Sequence, residues 1–331
     1  MDRVVYVWTN RPDPEAKNNY IWRHAGERSV PGLAANVAAN ISRYGAITHL
    51  YGLIGSDHEG IKLSRMIMEK CTNEREPIFL KHAVQGNRTI VKTRYYDKKT
   101  GERLQRFDID PSEEEHPSRE DKIELQHEND FNTSFLENLE KYDAVILSDY
   151  DKLVFRRNLA QRIINACKSS NIPVFADPKP ENARLGAFNG ATLICPNLDE
   201  ARKIVGESYN GLENLTKKLR ELTETEIAVV KSGADGSYIY DGKRFRHIPA
   251  YSFRKVVDPT AAGDTYIANF ALAMISYPPD YDRDIVIQNS GKLASLSAGL
   301  TVEKSGTHTN SATELVERIE EAAKRQYELK A

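Results

Sequence analysis

The chain has 331 residues, 40% of them hydrophobic and 28% charged, with a formal net charge of −2 and a pI near 6.5. That length suits two domains, or one α/β domain with an appendage, and the charge balance argues against a general nucleic-acid or membrane-surface binder, so small molecules are the expected ligands. Cys71, Cys167 and Cys195 show no paired spacing and no His cluster, which indicates reduced thiols, and no run reaches transmembrane length or reads as a secretion leader, so the chain is expected to be cytoplasmic.

The opening Val4 to Trp8 is strand-like, Thr9 to Asn19 reads as a loop, and Tyr20 to Arg23 as a second short strand. From Gly32 the apolar positions Leu33, Val37, Ile41 and Tyr44 share one helical face, with Gly45 as the C-cap. A buried strand at 47–54 and a helix at 59–69 follow. Thr89 to Tyr96 and Arg103 to Ile109 are β-rich runs joined by a turn at 97–101, forming a β appendage, and the acidic segment 111–130 reads as a mobile surface insertion. Strands at 143–148, 172–176, 191–195 and 226–230 then alternate with helices at 156–170, 198–206 and 211–222, with short strands near 236–247. Such alternation predicts a parallel sheet with helices on both faces, whose ligands sit at the carboxyl ends of the strands. Helices near 283–302 and 312–328 close the chain.

The densest chemistry lies in Asp258-Pro259-Thr260-Ala261-Ala262-Gly263-Asp264-Thr265, ahead of the apolar run Tyr266 to Ile275. A turn of small residues opening a helix lets an anion reach the unpaired N–H groups of the first turn, where the helix dipole favours negative charge. Asp264 is then either a general base facing a hydroxyl nucleophile or an ordinary first-turn acid; spacing leaves both open. Polar loops at 148–152, 177–179, 196–200 and 231–236 end or follow predicted strands, although their Asp, Asn and Gly residues also serve caps and turns.

The octapeptide resembles the C-terminal signature of the ribokinase-like (PfkB) carbohydrate kinases, with Ala261 where the commoner form has Gly. Pro31 to Asn40 resembles the N-terminal signature, with Leu33 replacing its second glycine. The order of the polar loops, with Gly190-Ala191-Thr192 and Lys304-Ser305-Gly306-Thr307, is similar to the heptose 7-phosphate kinase modules of bifunctional ADP-heptose enzymes, over essentially the whole chain. This resemblance implies one domain over 1–331: an α/β three-layer sandwich with a central mostly parallel sheet, plus a β-sheet lid built from about 3–30 and 77–110. It implies ATP-dependent phosphorylation of a sugar or sugar phosphate, with a heptose 7-phosphate at its anomeric hydroxyl preferred; ribose, fructose and nucleoside kinases, or a weakly catalytic binding homologue, are the alternatives.

Carried over by position, Asp264 is the base and Ala261, Ala262 and Gly263 the anion hole. Asp2, Gly32 and Asn36 would hold sugar hydroxyls; Arg88, Lys92, Arg94 and Arg106 on the β appendage either reach a sugar phosphate or line an exposed hairpin face, and Lys179 is a cation for the sugar phosphate or the ATP phosphates. Asn197, Lys231, Gly233, Gly236 and Ser295 would face ATP, and Glu200 would act on Mg²⁺ through water. A monovalent cation and a homodimer through the lid belong to the same expectation, and the nucleotidyltransferase activity of the bifunctional enzymes would need a separate protein. The family begins with a strand ending in Gly-Asp ahead of the Asp that corresponds to Asp2, so the first core strand is expected to be missing, with Asp2 at a frayed terminus.

Overall fold

The computed structural model describes residues 1–15, 20–71, 78–80, 88–109, 135–151, 154–155, 158–179, 186–206 and 211–328. The chain enters through β1 (Asp2–Pro12) and β2 (Tyr20–Val30), followed by α1 (Ala34–Ser42), β3 (Thr48–Leu50), α2 (His58–Cys71), β4 (Ile78–Leu80), β5 (Val91–Asp97) and β6 (Arg103–Ile109). β1 lies between β2, antiparallel to it, and β5, parallel to it; β6 completes a four-stranded sheet in the order β2-β1-β5-β6. The first two strands outrun the sequence expectation, through Thr9 to Pro12 and from His24 to Val30. Their mutual ladder supplies hydrogen bonds that the polar side chains do not announce. β4 pairs with β3 in a separate two-stranded sheet, so residues 78–80 stand apart from the lid sheet. The acidic segment 111–130 lies outside the described residues.

The main sheet holds β7 (Val145–Ser148), β8 (Val174–Asp177), β9 (Leu193–Ile194), β10 (Ile227–Lys231), β11 (Ser237–Tyr240) and β12 (Phe245–Ile248) in the order β12-β11-β10-β9-β8-β7. β7 to β10 run parallel; β11 and β12 add an antiparallel edge. Residues alternate between the two faces, as a pleated strand requires. Ala176, Ile194, Ala228 and Val230 pack with α3 (Leu159–Ser169), α4 (Leu198–Val205) and α5 (Leu212–Thr223). Phe175, Leu193, Ile227 and Val229 pack with α1, α6 (Ala262–Ile275) and α7 (Arg283–Val302). α8 (Ala312–Glu328) covers α7 through Leu296, Leu300, Leu315 and Ala322. Cys167, in α3, and Cys195, just after β9, are free, buried thiols.

β7 and β3 are both edge strands, and a mostly apolar cavity of about 550 Å³ lies against them, lined by Leu33, Ile41, Leu50, Ile146, Ser148 and Leu272 among others. Among the described residues no strand joins the two sheets. The amino terminus is not frayed, however. Met1 is buried, its amine donates to the Ile90 carbonyl at 2.8 Å, and its own carbonyl accepts from Lys92 N at 3.0 Å. Burial pushes that amine down to about 6.

Candidate active site

The helix α6 opens at the expected turn. Ala261 takes a left-handed conformation (φ 68°, ψ 4°), and the first helical bond runs from Thr265 N to the Ala261 carbonyl at 3.0 Å. Among the described residues the N–H groups of Gly263 and Asp264 have no backbone acceptor, and the small side chains of Ala261, Ala262 and Gly263 leave them approachable. Asp258 braces the turn. Its Oδ1 accepts from Thr260 N, and its Oδ2 accepts from the Tyr96 hydroxyl of β5 at 2.8 Å and from Gly306 N at 3.0 Å.

The Asp264 carboxylate stands at this helix start with one donor on each oxygen. Asn36 Nδ2 donates to Oδ2 at 2.9 Å and the Tyr150 hydroxyl to Oδ1 at 2.5 Å. Burial raises the carboxyl to about 6; the two hydrogen bonds pull it back, while the charges of Asp177 and Asp2 push it further up. Burial also holds the Tyr150 phenol well above its ordinary range, so it stays a donor. Asn36, expected to hold sugar hydroxyls, thus bonds the Asp264 carboxylate. It is fixed from below by α1, where Asn40 Nδ2 donates to the Asn36 carbonyl at 2.9 Å. Tyr150 lies in the Ser-Asp-Tyr-Asp-Lys loop after β7, and its loop position was the only signal of it in the sequence.

Asp2 is buried, with a partner on each carboxylate oxygen. Its Oδ1 accepts from Arg94 Nη1 at 2.8 Å and its Oδ2 from the Thr307 hydroxyl at 2.9 Å, all three being buried. Arg94, expected on a sugar phosphate, is therefore a partner of Asp2. Gly32 is required by the same carboxylate, since a Cβ there would come 2.4 Å from Asp2 Oδ2. The next residue, Leu33, has φ 56° and ψ −137°, a region that favours glycine, and its side chain lines the apolar cavity. Arg106 on β6 pairs with Asp108. Lys92 stands 5.1 Å from the centre of the Tyr150 ring; burial lowers its ammonium, with contributions from the nearby charges of Arg106 and Lys179.

On the expected nucleotide side, Asn197 and Glu200 form a reciprocal capping box on α4: Glu200 N donates to Asn197 Oδ1 at 2.9 Å and Asn197 N to Glu200 Oε2 at 2.8 Å. Lys231 ends β10 with its Nζ 2.7 Å from Asp177 Oδ1 at the end of β8. Gly233 has φ 55° and open space where a Cβ would stand, whereas Gly236 (φ 89°) is demanded by packing, its Cβ position being 2.1 Å from the Ile248 carbonyl. Ser295 is buried and donates to the Pro249 carbonyl at 2.6 Å, a tie within the fold. Among the described residues no group of three or more His, Cys, Asp or Glu side chains is arranged to hold a metal.

The profile of the family described as "pfkB family carbohydrate kinase" matches residues 13–314. The curated Bifunctional protein HldE of Sulfurimonas denitrificans is 31% identical over 317 residues, covering 94% of this chain and 61% of that protein, so the chain spans under two thirds of this relative's length. Among solved structures, ribokinase from Giardia lamblia matches with a TM-score of 0.69 at 20% identity over 96% of each chain. Arabidopsis thaliana ribokinase complexed with ribose and ATP matches at 0.65 and 16% identity, over 96% of this chain and 95% of that one.

Proposed function

The chain belongs to the pfkB family of carbohydrate kinases and has the ribokinase-like fold, and from that premise we propose that this sugar kinase moves the terminal phosphoryl group of ATP to the anomeric hydroxyl of a heptose 7-phosphate. The observation that carries the chemistry is the Asp264 carboxylate beside the free N–H groups of α6. With a carboxyl near 6 it is ionised at neutral pH yet basic enough to draw a proton from a hydroxyl in the transition state. Each of its oxygens accepts one hydrogen bond from Asn36 or Tyr150, which leaves lone pairs for the sugar hydroxyl. The N–H groups of Gly263 and Asp264, with the helix dipole, stabilise the charge on the transferring group.

An anionic sugar is favoured by the neighbouring cations Lys92, Arg106 and Lys179, close enough for their charges to couple. The sequence resemblance to heptose 7-phosphate kinase modules supplies the identity of the sugar. Arg94 is buried against Asp2, which favours a second reading in which the acceptor carries no phosphate, as ribose, fructose or a nucleoside would. Gly233 offers open backbone to the nucleotide. Mg²⁺ would ride on the ATP phosphates and be met through water by Glu200, whose Oε2 is committed to the capping box while Oε1 has no hydrogen-bond partner among the described residues; bound there, it neutralises phosphate charge. A monovalent cation is retained from the family resemblance. A homodimer through the lid is favoured by the exposed Trp8, Tyr20, Trp22, Leu104 and Phe107 of β1, β2 and β6.

ADP release against heptose 7-phosphate, fructose 6-phosphate, ribose, fructose and nucleosides, with and without Mg²⁺ and K⁺, tests this. Turnover confined to heptose 7-phosphate and abolished in Asp264→Asn supports the proposal. Turnover of unphosphorylated sugars alone favours the second reading, and saturable binding without turnover overturns both.

A further inference from the structure

Among the described residues, the pair Lys231–Asp177 is a strongly charged contact at the carboxyl ends of the main-sheet strands that the proton transfer above does not use. Both side chains are 14% exposed and their charged atoms lie 2.7 Å apart. A buried ion pair of this kind is weak evidence for stability, because desolvation offsets most of the attraction. Its placement is more informative. A Cβ at position 263 would stand 3.3 Å from Lys231 Nζ and 4.0 Å from Asp177 Oδ2, so the ammonium lies against the first turn of α6, beside the N–H groups of Gly263 and Asp264. Only a glycine at 263 leaves that approach uncrowded.

The backbone fixes the lysine there. Lys231 N donates to the Pro196 carbonyl at 3.0 Å, and Asn197 and Lys231 form an isolated parallel bridge in the β9–β10 register, three residues past its last pair, Ala228 with Ile194. The side chain therefore starts from a rigid strand end. Burial alone would lower the ammonium, but the Asp177 carboxylate outweighs it and keeps the lysine protonated. An ammonium has three donors, and Asp177 Oδ1 takes one. The others are available to phosphoryl oxygens.

We propose that Lys231 is the phosphoryl-binding cation of this site, held in place by Asp177 and directed at the group that lands on the N-terminal turn of α6. This deepens the role expected from the family resemblance, where position 231 only lined the nucleotide. It rests on the kinase reading. Asp177 is a positioning residue: it sets where the ammonium stands and does not itself meet the phosphate. Charge on the transferring group spreads over its equatorial oxygens, so a fixed cation beside the turn acts on the transition state as well as on bound ATP.

The test compares Lys231→Met, Lys231→Arg, Asp177→Asn and the double variant Asp177→Asn/Lys231→Met, which removes both buried charges and so avoids an unpaired carboxylate. Circular dichroism and melting confirm that each is folded. The readouts are kcat and the ratio of ADP to ATP dissociation constants measured without sugar. Loss of the cation is expected to lower kcat about 10- to 100-fold and to weaken ATP more than ADP in both variants carrying Lys231→Met, with partial recovery in Lys231→Arg and a small effect in Asp177→Asn. Equal damage in Asp177→Asn and Lys231→Met, with ADP and ATP weakened alike, would mean that the pair is a structural clamp and overturn the proposal. So would a kcat within threefold of wild type in the double variant. If the wild type transfers phosphate to no sugar, the kinase reading fails, while the ADP-to-ATP ratio still decides whether Lys231 meets the terminal phosphate.

Discussion

Replacing Asp264 by Asn is expected to make the protein nearly inactive and more stable. Losing a positioned base typically costs about 10²- to 10⁴-fold in rate. For stability, the carboxyl rises from 3.8 to about 6 on folding, chiefly by burial. The native state then binds the proton more tightly than the unfolded chain, so stability falls as pH rises from near 4 to near 6 and the full cost is present at neutral pH. At 1.36 kcal/mol per pH unit that cost is at most about 3 kcal/mol, less some solvent screening of a half-buried side chain. An amide carries no such cost but cannot accept from both Asn36 and Tyr150, a loss of about 1 kcal/mol. The net gain at pH 7.5 is about 1–2 kcal/mol, or a few degrees in melting temperature, and it should vanish near pH 4. Wild-type kcat/KM should drop about tenfold from pH 7 to pH 5, as the ionised fraction falls from about 0.91 to about 0.09. The assays are urea and thermal melts of both proteins from pH 4 to 8, and initial rates over the same range. A variant less stable than wild type at pH 7.5, or a wild-type rate flat down to pH 5, would refute the burial argument.

Gly32→Ala should push the Asp2 carboxylate off Arg94 and Thr307, leaving a buried guanidinium unpaired, at about 3–5 kcal/mol; a change in the urea midpoint worth less than 1 kcal/mol would sink this. Leu33→Gly should leave stability within about 1 kcal/mol of wild type, because relief of backbone strain of about 1–3 kcal/mol offsets lost packing and the entropy of glycine, whereas a β-branched Val at 33 should be clearly worse in the same melt. An alternating apolar segment of about six residues fused ahead of Met1, a residue that lines the cavity against β3 and β7, should raise the melting temperature by pairing two strand edges. An unchanged melt would mean that the cavity does not accept a strand.

Much of the framework was legible in the residues. The βα alternation, the two helical faces and the small-residue turn at 258–265 are local patterns, and periodicity, capping and turn chemistry act over a few residues at a time. The full length of β1 and β2, the pairing of β4 with β3 and the strained Leu33 were not, because each depends on which partner strand or turn the rest of the chain brings alongside.

The same division runs through the site. The sequence alone determined that an acid would stand at the start of a glycine-containing helix turn, since that requires only neighbours in the chain. What the acid can do was decided by tertiary structure: Asn36 lies 228 residues from Asp264 and Tyr150 lies 114 away, and only folding places one on each carboxylate oxygen. Asp2, Arg94 and Thr307, each plausible as a ligand contact by residue type, became one buried cluster. Lys231 reached the helix turn because β8 and β10 flank β9 in one sheet, with the first turn of α6 against the Asp177 and Lys231 side chains at their ends. Hydrogen bonds and charges act over a few ångströms of space, and the sequence does not state which distant residues will share that space.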